Sequence, residues 1–310
     1  MRQNQGFGQS NGQDQNQTRW ADKRILFVSG KGGVGKSLVA AAIAQEESRS
    51  GRRVLLAEVG DTSYYKDFWN LASVGHNPVK TAFGFDIALW DGESCLREYV
   101  LYYLRMERLY KLFFENKVMR ALVGVAPGLN EIAILGKITS GVRKIGPPLD
   151  YDLVVVDCYA TGHALALLET PRGMQEAIKF GPMGSNSREI NNVLRDTQTC
   201  GYIAVTLLEE LPVVETLEFR DQLGRDLGVD VEIIANKVLQ APVSVNDLGR
   251  LTEQDPKGLG EFARYLHVIV DRQNEFAEML KKSVTSVLQI PLIFSADATK
   301  LVNGAEEALR

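Results

Sequence analysis

The chain has 310 residues, 45% of them hydrophobic and 24% charged, with a formal net charge of -4. This ordinary globular composition allows a substantial core in one large or two small domains, and it lacks the overall basic footprint that nucleic acid would call for. No apolar run approaches the roughly 18 residues of a membrane span, and no signal-peptide pattern opens the chain.

Residues 1 to 18 are dominated by Gln, Asn and Gly and cannot bury enough apolar surface to offset their ordering, so they read as a disordered tail. Folding is expected to begin near Trp20, with residues 19–310 forming a single domain. Ile25-Leu26-Phe27-Val28 reads as a strand and Leu38 to Ala44 as the opening of a helix. Between them lies Gly30-Lys31-Gly32-Gly33-Val34-Gly35-Lys36-Ser37-Leu38. A glycine-rich turn that joins a strand to a helix N-terminus is an anion site, because backbone N–H groups and the helix dipole converge on phosphate oxygens. Lys36 then reaches the outer phosphates, and the Ser37 hydroxyl can ligate Mg²⁺. The same residues also contain G-x-G-x-x-G (Gly30, Gly32, Gly35), with Glu58 near the distance expected of a dinucleotide's ribose partner. The terminal Lys-Ser pair favours a nucleoside triphosphate.

Arg53 to Ala57 reads as a second buried strand, leading into an acidic and aromatic loop that contains Glu58, Asp61 and Asp67. Such loops lie at the ligand-binding edge of α/β sheets. Phe83 to Leu89 is a further strand, and Glu93 to Val123 carries apolar and aromatic residues, Tyr99, Tyr110 and Phe113 among them, at helical spacing. Tyr151 to Asp157 is the clearest strand, four apolar residues ending in an aspartate. That is the Walker B arrangement, in which Asp157 holds the metal through water. Pro171 to Thr199 reads as a short polar linker with one helix near Arg188 to Arg195. Strands follow at Tyr202 to Leu208, Val231 to Ala235 and Ser286 to Ile290. Helices are expected at Pro212 to Leu227, Gly258 to Lys282 and Ala296 to Leu309. Asn236 and Lys237, at the end of the Val231 strand, are candidates for contact with the base. The alternation predicts an α/β fold, a doubly wound, mostly parallel sheet with helices on both faces. Cys95, Cys158 and Cys200 form neither a disulfide framework nor a C-x-x-C metal pair, which sets a reducing cytoplasm as the default.

With these residues in view, the chain resembles the ArsA-like anion-transporting ATPases, relatives of the tail-anchored-protein targeting ATPases and of MinD and ParA. The resemblance runs from Arg24 to the C-terminus. It rests on the deviant P-loop with its extra Lys31, on Asp157-Cys158-Tyr159-Ala160-Thr161-Gly162-His163-Ala164-Leu165 as switch II, and on Ala126-Pro127-Gly128-Leu129-Asn130-Glu131. It implies a dimer, of this chain alone or with a related ATPase, in which Lys31 reaches the partner's phosphates. It also implies ATP with Mg²⁺, hydrolysis coupled to a client protein, and Asp67 as the residue that orients the attacking water. The chain departs from the family at switch I, where Gly60-Asp61 stands in place of Asp-Pro, so Asp61 or Glu58 is left to organise the metal. The zinc-sharing C-x-x-C is absent near Phe262 to Phe276, and six methionines are too few for a soft client groove. A second reading is therefore a nucleotide-gated structural or polarity module with little intrinsic hydrolysis.

Overall fold

The computed structural model describes residues 18–104, 128–178, 181–240, 250, 253–255, 257–284 and 286–310. The expected N-terminal tail lies outside the described residues, apart from its last position. So do Ala126-Pro127 and the second half of the Glu93 to Val123 segment.

Eight strands form one sheet: β1 (Ile25–Gly30), β2 (Val54–Val59), β3 (Val79–Lys80), β4 (Asp86–Trp90), β5 (Leu153–Ala160), β6 (Cys200–Thr206), β7 (Glu232–Val238) and β8 (Val287–Pro291). Their order is β3-β4-β2-β5-β1-β6-β7-β8, and every neighbouring pair is parallel except β3 with β4. The central strands are apolar on both faces because helices cover both. Ile25, Phe27, Val154 and Val156 enter one core, whereas Leu26, Val28, Leu153 and Val155 enter the other.

Helices α1 (Lys36–Arg49) and α9 (Ala298–Leu309) cover the second core, with the short α2 (Tyr64–Phe68) contributing Tyr65. Helix α1 lies so deep that Val39 to Glu47 are all buried. Helices α3 (Gly92–Leu104), α4 (Leu129–Arg143), α5 (Thr161–Ala177), α6 (Pro182–Arg195) and α7 (Glu210–Leu227) cover the first core. Helix α8 (Leu259–Ser283) packs Ala277 and Leu280 against Val213, Ile233 and Ala235.

Two expectations are corrected. The stretch from Pro171 to Thr199 is mostly helix, since α5 runs through Pro171 to Ala177 and α6 begins at Pro182. Pro171 removes one N–H from the ladder, yet its ring is buried in the contact layer, and packing against the first core outweighs the lost bond. Helices α2 and α4, absent from the sequence reading, follow from local signals. Ser63 caps α2 by accepting from the Lys66 N–H, and Ile132, Leu135 and Ile138 give α4 a buried stripe.

Adjacent arginines at the start of β2 do different work. The Arg52 guanidinium donates to the Trp20, Lys23 and Asp152 carbonyls and to the Glu47 carboxylate, whose side chain is fully buried. Arg53 pairs instead with the exposed Asp150 and Asp152. Removing Arg52 strands a buried charge and several carbonyls, so Arg52→Ala is expected to lower unfolding free energy by about 3 kcal/mol. Arg53→Ala should leave a urea-unfolding midpoint close to wild type, because exposed pairs contribute little.

Candidate nucleotide site

The carboxyl ends of β1, β5, β6 and β7 meet at one edge of the sheet, and the loop of residues 31–35 connects β1 to α1 there. Two glycines in and beside this loop have no substitute. Gly30 has φ 153°, and a Cβ on it would collide with the Val205 carbonyl of β6. Gly35 has φ 94°, and a Cβ there would strike the Asn236 amide of β7. The loop is thus drawn tight against the strands beside it.

Its carbonyls are held from outside. Asn236 Nδ2 donates to Val34 O at 2.9 Å, Lys237 Nζ to Gly33 O at 3.2 Å, and Lys36 Nζ to Lys31 O at 3.3 Å. Among the described residues, no protein acceptor is bonded to the N–H groups of Gly32, Gly33, Val34 or Gly35. A set of unclaimed donors next to a helix N-terminus is suited to phosphate oxygens. A cavity of about 440 Å³ runs from Lys36, Ser37 and Leu38 past Tyr64 to Asn236 and Lys237.

Asp157 ends the apolar run of β5 beneath this loop and is 5% exposed. Burial raises its pKa, while the Ser37 and Tyr65 hydroxyls and the Lys36 charge favour its ionised form. The Tyr65 hydroxyl lies 2.8 Å from Ser37 O and 3.0 Å from Asp157 Oδ2, so α2 is fastened to both nucleotide motifs. Asp157 Oδ1 has no hydrogen-bond partner. Glu58, beside it on β2, is buried too. Its pKa is pushed up to about 7, first by burial and also by the Asp157 charge, with the nearby Ser63 hydroxyl and the Tyr64 N–H pulling the other way. Two buried carboxylates, each with an oxygen left over, together with the Ser37 hydroxyl are a donor set that fits Mg²⁺.

These local features have a counterpart in known proteins. The model of the anion-transporting ATPases matches residues 23–184. The chain belongs to that family. It is similar to ATPase BagA of Mycobacterium tuberculosis (strain ATCC 25618 / H37Rv), 30% identical over 251 residues that span 76% of this chain and 71% of that one. It is 22% identical to ATPase get3 of Neurospora crassa across 90% of this chain and 86% of that one. It is also 27% identical to the arsenical pump-driving ATPase of Acidiphilium multivorum, across 52% of this chain and 28% of that one.

Within this member of the anion-transporting ATPases, the structure gathers Gly30, Lys31, Gly32, Gly33, Val34, Gly35, Lys36, Ser37, Leu38, Asp157, Asn236 and Lys237 around one loop and cavity. Lys31 points to the rim, where it pairs with Glu215 of α7. Asp67 is not brought to the loop. It is exposed on α2, two residues beyond the inward-facing Tyr65 and hence on the opposite side of that helix. Asp61 is exposed as well. Sequence reasoning passed over Tyr65 and Glu215, whose roles depend on partners 92 and 184 positions away. Glu58 had a usable signal, a lone charge inside an otherwise apolar strand.

Asn236 is engaged at both ends, since its carbonyl also accepts from the Lys237 N–H at 2.9 Å. It therefore clamps the loop before any base is present. Asn236→Ala leaves the carbonyl of the buried Val34 unpaired and is expected to cost the protein without nucleotide about 2 kcal/mol in chemical unfolding. A residue that served only to contact a base would leave that value unchanged.

Proposed function

We propose that the chain is an Mg²⁺-dependent ATPase that acts as a dimeric switch, alone or with a related subunit, and couples nucleotide state to a client protein. The observation that carries this reading is the convergence of Lys36, Ser37 and Asp157 beneath a loop whose N–H groups have no protein acceptor among the described residues. The loop donors and Lys36 bind the β- and γ-phosphates and hold charge that builds up during phosphoryl transfer. Ser37, and Asp157 through water, would hold the metal. When bound, Mg²⁺ neutralises the phosphate oxygens and fixes their orientation. Asn236 and Lys237 fix the loop and line the route to the base. Asp67 orients the attacking water, a role that requires α2 to turn, since its carboxylate is exposed. No described helix is long and apolar enough to cross a membrane, and we assign the protein to the cytoplasm.

This assignment rests on Lys36 most directly. ATP at 100 times its dissociation constant adds about 2.7 kcal/mol of stability, enough to raise the melting temperature by roughly 5 °C or more. Wild type is expected to gain that shift and Lys36→Ala to lose it. A variant that melts with ATP as wild type does would remove Lys36 from the site.

Lys31 acts on a partner's phosphates in this reading, and within one chain it is parked on Glu215. Both side chains are about one-third exposed (33% and 37%), so the pair contributes at most about 1 kcal/mol. Glu215→Gln should accordingly let ATP-dependent dimers form at several-fold lower protein concentration in sedimentation velocity. Unchanged assembly would mean that Lys31 is not drawn from this pair.

The exposure of Asp67 and the Gly60-Asp61 sequence favour a second reading, a nucleotide-gated module with little turnover of its own. Phosphate release from the purified chain decides between the two. Turnover that is lost in Asp67→Asn supports the self-sufficient enzyme, whereas ATP binding without release supports the gated module.

A further inference from the structure

We infer that Glu58 is a second carboxylate for the nucleotide's metal and that it works beside Asp157. The inference rests on the triphosphate reading above and names a residue which that reading does not assign. Glu58 and Asp157 are register partners on the adjacent parallel strands β2 and β5. Register partners point to the same face of a sheet about 4.8 Å apart. The faces agree with the packing, because Leu56 and Val155, two residues earlier on each strand, both enter the core beneath α1. Both carboxylates therefore stand on the side of the sheet that carries Lys36 and Ser37.

Their hydrogen bonding is incomplete in the same way. One Glu58 oxygen, Oε1, accepts from the Tyr64 N–H at 2.5 Å, and Asp157 Oδ2 takes the Tyr65 hydroxyl at 3.0 Å. The other oxygens, Glu58 Oε2 and Asp157 Oδ1, are buried without a partner. Glu58 is 6% exposed and Asp157 5%. Buried carboxylate oxygens without donors are costly, and a cation held by both carboxylates, directly or through water, would offset that cost. Of the acidic residues between β2 and the end of α2, only Glu58 is buried. Asp61 and Asp67 face solvent. Magnesium commonly takes one or two carboxylates along with phosphate oxygens and water, so Asp157, Glu58 and Ser37 make a sufficient protein share. The bond from the Tyr64 N–H to Glu58 also ties the first residue of α2 to the same carboxylate. Metal occupancy and the seating of the switch helix thus act on one side chain.

The test is manganese binding by the full chain with a non-hydrolysable ATP analogue, read by loss of the free Mn²⁺ signal in electron paramagnetic resonance. Glu58→Gln keeps the shape and an acceptor for the Tyr64 N–H and removes a buried charge, so the fold survives the change. It is expected to raise the half-saturating Mn²⁺ concentration at least tenfold and to leave analogue binding in EDTA within twofold of wild type. Asp61→Asn should leave both within twofold. A Glu58→Gln protein with the manganese affinity of wild type overturns the assignment of Glu58. Wild type that retains no analogue, with or without Mn²⁺, overturns instead the triphosphate reading beneath it. Glu58→Asp, which restores the charge on a shorter stem, should recover part of the affinity. Recovery by Asp but not by Gln separates a ligand from a packing role.

Discussion

The site depends on how the carbonyls of one loop are held. A phosphate-binding turn works only if its N–H groups face inward, and that requires its carbonyls to find partners elsewhere. Here the neighbouring strand β7 supplies them, through Asn236 to Val34 and Lys237 to Gly33. Between β1 and β7, Gly30 lets the chain run flush against Val205 of β6. The sheet is therefore part of the nucleotide site, since its strand order sets β6 and β7 where the loop needs them.

The same edge concentrates buried charge. Asp157, Glu58 and Tyr65 lie on the side of the sheet that α1 covers, and burial raises the pKa of each. A carboxylate at the end of a central strand is fixed by the sheet and loses little freedom when a cation arrives. One on a surface loop is easier to solvate but must be ordered at the moment of binding. Glu58 is of the first kind and Asp67 of the second: one is the register partner of Asp157 and the other is exposed. Helix α2 between them is a five-residue element that cannot be stable alone. It is held by the Tyr65 hydroxyl and by rings: Tyr65 stacks on Trp69 at 5.0 Å, and Trp69 meets Phe83 at 4.9 Å.

What could be read from the sequence was what is written locally. The run from Gly30 to Leu38 carries its chemistry in nine consecutive positions, eight with the Walker spacing and one the helix residue after it. The apolar runs ending at Val28, Ala57, Asp157 and Ala235 announced four adjacent or near-adjacent strands. The doubly wound sheet followed from that alternation. Features settled by tertiary partners were not legible. Pro171 opened a stretch that read as a linker and sits buried inside α5, whose Leu167 and Leu168 pack in the first core. Asn236 read as a candidate for contact with the base, and its bond to the Val34 carbonyl depends on a strand placed 202 positions away. Asp67 takes the place of the family's water-orienting aspartate by resemblance, and a match of that kind does not tell on which face of a helix the side chain will stand.

Lys31 illustrates the energetic scale on which such a switch operates. Its pairing with Glu215 joins two groups that are both open to water, and an exposed pair contributes at most about 1 kcal/mol. A buried partner would have fixed the lysine in place, since leaving a carboxylate unpaired in the interior costs about 3 kcal/mol or more. The contrast with Arg52 is direct: there the carboxylate of Glu47 is fully buried, and the guanidinium also holds three carbonyls. One cation is built into the fold and the other is lightly held at the rim. The cross-chain role proposed for Lys31 asks for the second kind of contact, since a lysine fixed by a buried carboxylate could not leave it at so small a cost.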